Sequence, residues 1–209
     1  MDGTILDTIE DLADAVNVAL EKNGFPLHTV DEVRFMVGNG IKKLVQRACP
    51  EGSDAVTLAR VYNDFTEHYS VHCEDKTRPY PGIVSLLQNL KAQGYKTAVV
   101  TNKDDYAAKI LVEKYFKGLF DASMGAREGF QIKPAPDEVN EVLRLLNCSK
   151  KDAVYIGDSD VDIMTAKNSE LDCICVSWGF RSIPFLKEHG AKVIVNNEKE
   201  LLEKINENN

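Results

Sequence analysis

Three carboxylates, Asp158, Asp160 and Asp162, crowd into five residues directly after the apolar run Val154-Tyr155-Ile156-Gly157. Like charges this close repel, and two arrangements relieve the repulsion. One is a bound cation. The other is the N-terminus of a helix starting near Val161, whose dipole favours negative side chains. In the first arrangement Asp158 coordinates the cation, Asp162 lies one helical turn away as a further ligand or as support for a bound water, and Asp160 faces solvent. The candidate donors are all oxygen, with no His or Cys placed among them, so the cation that suits this cluster is magnesium and not zinc.

Other side chains could also do chemistry. Lys133 stands in Gly129-Phe130-Gln131-Ile132-Lys133-Pro134-Ala135-Pro136-Asp137, where two prolines restrain the backbone ahead of a helix. Its ammonium is either aimed inward or solvated on the surface. Thr101 closes the run Ala98-Val99-Val100 and precedes Asn102-Lys103, so it either opens a helix or offers a hydroxyl to an anion at a helix start. His68 and His72 are four apart, yet Glu67, Glu74 and Asp75 beside them complete no metal set, and the pair reads as a helix face. Alternation puts Cys173 and Cys175 on one side of an apolar strand, where buried packing explains them better than a redox pair. The five cysteines show no Cys-x-x-Cys spacing, which fits reduced thiols in a cytoplasmic protein.

The opening Met1-Asp2-Gly3-Thr4-Ile5-Leu6-Asp7-Thr8 resembles the latter part of the Asp-x-Asp-Gly-Thr motif of the haloacid dehalogenase-like phosphatases and mutases. Thr101, then Lys133-Pro134-Ala135-Pro136, then Gly157-Asp158 with Asp162, resemble that family's later motifs in the same order. The resemblance covers essentially the whole chain, and it implies a role for each residue. Asp2 is the general acid/base, and its backbone carbonyl joins Asp158, with Asp162 in support, at a magnesium ion. Thr101, Asn102 and Lys133 hold the phosphoryl group. The nucleophilic aspartate belongs at the position before Met1, on a central strand. A chain starting at Met1 is therefore expected to be inactive and poorly folded, and the expectation is an upstream segment, with a disabled relative as the alternative. Val37-Gly38-Asn39-Gly40-Ile41-Lys42-Lys43-Leu44 is similar to the cap loop of phosphoglycolate phosphatases, which implies that Gly38, Asn39 and Gly40 face the substrate; the other reading is a tight turn. Trp178-Gly179-Phe180-Arg181 also resembles that subfamily, with Arg181 readable as a surface charge.

The elements that must position these groups follow from periodicity. From Thr8, a candidate cap, apolar Leu12, Ala15, Val16, Ala19 and Leu20 recur at helical spacing until Gly24. Thr29 with Glu32 forms a capping box, and Ile41, Leu44, Val45 and Ala48 mark another helix. A longer helix runs from Ser53 or Asp54 towards His72, with Val56, Ala59, Tyr62 or Asn63, and Thr66 on successive turns. Arg78-Pro79-Tyr80-Pro81-Gly82 is a boundary. After it strands alternate with helices: Lys96 to Thr101, Phe120 to Ser123, Ala153 to Gly157, Asp172 to Ser177 and Lys192 to Val195.

This rhythm predicts a doubly wound, Rossmann-like parallel α/β core over 1–9 and 80–209, with sites at the strands' carboxyl ends, and an inserted all-helical cap over 10–79. The 209 residues, 44% of them hydrophobic, suffice for such a core. A net charge of −8 argues against a nucleic-acid partner. No apolar run approaches the ~18 residues of a membrane span, and no secretory leader is expected. By resemblance, the function is magnesium-dependent hydrolysis of a small phosphorylated metabolite, phosphoglycolate or similar, through an aspartyl phosphate, by a monomer or homodimer. A phosphosugar mutase and a non-catalytic binding protein on the same fold are the alternatives.

Overall fold

The computed structural model describes residues 1–207. It divides into two compact units, one formed by Met1–Ile5 with the chain from Pro79 onward, the other by Leu6–Arg78. Strand β1 (Leu6–Asp7) pairs with β2 (Arg78–Pro79), so the stretches by which the chain enters and leaves the second unit run side by side.

The second unit is helical, with α1 (Ile9–Lys22), α2 (Val30–Met36), α3 (Ile41–Ala48) and α4 (Ala55–His72). The α1 stripe is the expected one: Leu12, Ala15, Val16, Ala19 and Leu20 are all buried. Its start differs from expectation. The Thr8 hydroxyl is buried and makes no capping bond, while Asp11 is buried and accepts from the backbone N–H groups of Lys76 and Thr77 at 2.8–3.1 Å. The carboxylate thus satisfies donors at the end of the unit instead of serving its own helix. At α2 the Thr29–Glu32 capping box forms, the Glu32 N–H donating to Thr29 Oγ1 and the Thr29 N–H to Glu32 Oε2. Asp54 caps α4 by accepting from the Thr57 N–H at 2.7 Å. The inward face of α4 is Val61, Phe65 and Tyr69, whereas Val56 is exposed. Two stripes compete on this helix, and the aromatic one removes more apolar surface from water.

The first unit is a Rossmann-like α/β core with parallel sheets. In chain order it contains α5 (Ile83–Ala92), β3 (Ala98–Asp104), α6 (Asp105–Phe116), β4 (Ala122–Ala126), α7 (Asp137–Leu146), β5 (Val154–Gly157), α8 (Asp160–Ser169), β6 (Asp172–Val176), α9 (Ile183–Glu188), β7 (Val193–Val195) and α10 (Glu198–Glu207). β3 pairs parallel with β4, Val99 opposite Ser123 and Thr101 opposite Gly125; β5, β6 and β7 form a second parallel ladder. Among the described residues β3 and β5 are not hydrogen-bonded to each other. Both nevertheless rest on α7: Val100 and Tyr155 pack against the same cluster around Val139 and Leu143. Between them lies a cavity of about 330 Å³, lined along its length by Val99 and Val100 of β3 and by Val154 and Ile156 of β5, with Met1 and Thr4 among its walls.

Candidate active site

The site begins where β5 ends. Gly157 lets the chain turn against α8 so closely that a Cβ on it would fall 2.3 Å from the Cβ of Asp162. Asp158 and Asp162 are both buried, at 3% and 5% exposure. Ser159 caps α8 by accepting from the Asp162 N–H, so the helix-terminus reading of the acidic cluster holds for the backbone. Asp162 is fully engaged: its Oδ1 accepts from Lys133 Nζ at 2.8 Å and from the Tyr155 hydroxyl at 3.2 Å, and its Oδ2 from Ser159 Oγ at 2.6 Å and the Asp158 N–H at 3.2 Å. Burial opposes its charge, but the Lys133 ammonium outweighs this and holds the carboxyl down at about 2.

Lys133 is the other half of this pair, buried like Asp162. Burial alone would discharge it; Asp162 and Tyr155 raise its pKa above the ordinary lysine value instead. The inward alternative for Lys133 is therefore the observed one. The Lys133–Pro134 peptide is cis, and the Lys133 carbonyl accepts from Asn102 Nδ2 at 3.1 Å, which joins this loop to the end of β3.

β3 delivers two buried polar groups from one face, Thr101 and Lys103. The Lys103 N–H donates to Thr101 Oγ1 at 3.2 Å, and Lys103 Nζ pairs with Asp2 Oδ1 at 3.3 Å. Asp2 is followed by Gly3 at φ +78°, a left-handed conformation in which a Cβ would lie 2.3 Å from Asp158 Oδ2. Thr4 Oγ1 then donates to Asp158 Oδ1 at 2.8 Å, the Phe180 N–H donates to Asp158 Oδ2 at 2.9 Å, and Trp178 Nε1 donates to the Thr4 carbonyl at 3.1 Å. Gly179 closes the same corner, since a Cβ there would meet both Asp158 and the Gly3 carbonyl within 2.4 Å. The Met1 nitrogen is buried in this centre, near Lys133, Asp2, Asp162 and Asp158.

Asp158 is held differently from Asp162. Burial, then the neighbouring Asp162, push its carboxyl up to about 6 despite two donated hydrogen bonds. Among the described residues no three His, Cys, Asp or Glu side chains converge into a ready-made metal cluster. Asp158 offers oxygen, the donor type that magnesium takes in company with water and a substrate phosphate, so the residue present fits that ion.

The core unit thus brings together Asp2, Thr101, Asn102, Lys133, Asp158 and Asp162. Gly38, Asn39 and Gly40 belong to the helical unit, where Arg47 fastens their loop by donating to Asn39 Oδ1 at 2.7 Å and to the Met36 carbonyl at 2.6 Å. Arg181, readable from sequence as a surface charge, is buried at 7% exposure and lies 3.6 Å from Asp160. Sequence reasoning gave no role to Thr4, Lys103, Tyr155 or Ser159. Lys103 carried one usable signal, its place two residues beyond Thr101 on a strand; a tyrosine in an apolar run carried none. All five cysteines are free thiols, with Cys173 and Cys175 Sγ atoms 4.0 Å apart.

The chain is similar to known proteins in sequence and in fold. The family description "haloacid dehalogenase-like hydrolase" matches residues 1–176. The phosphoglycolate phosphatase of Psychrobacter arcticus is 37% identical over 187 residues, covering 86% of this chain and 81% of the relative. A crystal structure from Lactobacillus delbrueckii subsp. bulgaricus, of a protein provisionally designated a phosphoglycolate phosphatase, superposes with a TM-score of 0.95 at 42% identity, covering 98% of this chain and 95% of that one. CbbY from Rhodobacter sphaeroides, solved in complex with phosphate, gives a TM-score of 0.78 at 25% identity, over 96% and 93% of the two chains.

Proposed function

Because the chain belongs to the haloacid dehalogenase-like hydrolases, we propose that it is a magnesium-dependent phosphomonoesterase acting on a small organic phosphate, phosphoglycolate or a close analogue, through an aspartyl phosphate. The observation that carries this reading is the convergence of an acid/base candidate, Asp2, with a buried cation, Lys133, and a buried carboxylate, Asp158, in one unit. Phosphoglycolate phosphatases among the similar proteins support the substrate class.

The Met1 nitrogen lies among Asp2, Lys133, Asp158 and Asp162. In this reading the nucleophile is the first aspartate of the Asp-x-Asp-Gly-Thr motif, two positions ahead of Asp2. Its carboxylate bonds to phosphorus as the phosphorus–oxygen bond of the ester breaks, and Asp2 gives a proton to the leaving oxygen. Asp2 then takes a proton from water as water cleaves the acyl phosphate. Thr101 and Asn102 hold phosphoryl oxygens, and Lys133, fixed by Asp162 and Tyr155, places its charge against the same group. Asp158, the Asp2 main-chain carbonyl and the nucleophile would hold magnesium, which neutralises phosphoryl charge when bound; Asp162 serves that site chiefly by fixing Lys133. Asn39, in a loop secured by Arg47, is assigned to substrate contact by the helical unit in the role of a cap. A reducing cytoplasm suits the five thiols.

The test is turnover of 2-phosphoglycolate by the full-length protein, which should require magnesium, and Asp2→Asn should lower kcat by ~10²–10⁴-fold, the scale of general acid–base catalysis. Unchanged turnover in Asp2→Asn would remove Asp2 from its assigned role.

A further inference from the structure

We propose that Lys103 is a positioning residue for proton transfer: its buried ammonium holds Oδ1 of the Asp2 carboxyl and so turns Oδ2, the oxygen that carries the proton, towards the leaving oxygen. The inference rests on the phosphatase reading above and adds a residue to it.

Burying an ammonium carries a large desolvation cost unless a partner offsets it. Lys103 is 7% exposed, and Asp2 Oδ1 stands 3.3 Å from its Nζ. The other buried lysine of this centre, Lys133, is committed to Asp162 at 2.8 Å, so the two cations serve different carboxylates. Lys103 is also held at its backbone. Alternation along β3 puts its side chain on the Thr101 face, its N–H donates to Thr101 Oγ1, and the pairing of β3 with β4 shifts register between Thr101 and Asp104, where the chain leaves the regular ladder. An ammonium anchored at both ends of its side chain restricts the rotamers of the carboxylate it binds, and a proton donor displaced by about 1 Å can cost ~10²-fold in rate.

The chemistry gives this role a signature. In the first half-reaction the bond from the nucleophile to phosphorus forms, the ester bond breaks, and its electron pair stays on the leaving oxygen, which takes the proton of Asp2. A glycolate alkoxide is a poor leaving group and needs that proton. A p-nitrophenolate leaves without it. A residue that orients Asp2 therefore matters for the alkyl ester and little for the aryl ester, whereas one that binds phosphate or maintains the fold matters equally for both.

The test compares Lys103→Met and Lys103→Arg with the parent, all as full-length, magnesium-loaded protein. It uses kcat/KM, which reports the step in which the leaving group departs, for 2-phosphoglycolate and p-nitrophenyl phosphate. For Lys103→Met we expect a loss of ~10²-fold or more on 2-phosphoglycolate and less than ~10-fold on p-nitrophenyl phosphate. The inhibition constant of inorganic phosphate should be unchanged, and Lys103→Arg should recover part of the alkyl-ester rate. Equal losses on the two esters, or weaker phosphate inhibition, would overturn the inference and leave the phosphatase reading standing. A parent protein that turns over neither ester would overturn both.

Discussion

At the scale of single residues, the core unit separates its buried charges by the company each keeps. Asp162 has Lys133, and Asp158 has two hydrogen-bond donors and an acidic neighbour. Glu138 has neither: it is fully buried in the first turn of α7, and both carboxylate oxygens lack a hydrogen-bond partner. Burial raises its pKa from 4.5 to about 7, against the pull of Lys133 and Arg127. The sign follows from linkage. The folded state prefers the protonated acid, so Glu138 is harmless below about pH 4.5, increasingly destabilising from there to about pH 7, and constant in its cost above that. Glu138→Gln should therefore leave stability unchanged at pH 4.5 and raise it at pH 8 by about 1–2 kcal/mol, a figure reduced from the full shift for solvent screening. Urea unfolding at the two pH values checks this, and a variant that gains equally at both would show that the charge is not the cause. Residues of this kind mark the limit of sequence reading. Lys133 was legible through its flanking prolines and Asp158 through its crowded neighbours. Glu138 looks like any acidic residue at a helix start, because the neighbours that bury it come from elsewhere in the chain.

At the scale of elements, local signals placed most boundaries and missed some faces. The capping box at Thr29 and the strand runs at Val99 and Val154 formed close to where they were expected, since each depends on residues within a turn or a ladder. The start of α1 went differently because Asp11 found donors more than sixty positions away. The inward face of α4 was likewise decided by partners: α1 packs on it, and the side that meets α1 is a tertiary fact. Phe65 is 0% exposed at the centre of that face and stacks on Tyr69 with ring centroids 5.3 Å apart. Phe65→Ala should cost about 3–5 kcal/mol, and Val56→Ala, on the exposed side, less than about 0.5 kcal/mol. Thermal unfolding of the two variants ranks the faces; similar costs would contradict the packing described.

At the scale of the whole molecule, the parallel α/β core was legible from the alternation of strands and helices, and the inserted helical unit from the change of period before Pro79. Which strands neighbour each other was not legible, because periodicity does not reveal pairing: β3 goes with β4, and β6 lies between β5 and β7.

Thr4 reaches Asp158 across 154 positions of sequence, with the whole helical unit between them. On a ribosome the two are never available together early. At about 5–20 residues per second, roughly 8–31 s separate the emergence of the Asp-Gly-Thr turn from that of its partner. During that wait the helices of Leu6–Arg78, whose contacts are local by comparison, have all their residues in hand. The turn at Asp2–Thr4 is thus locked only once the residues around Asp158 and Phe180 have been made.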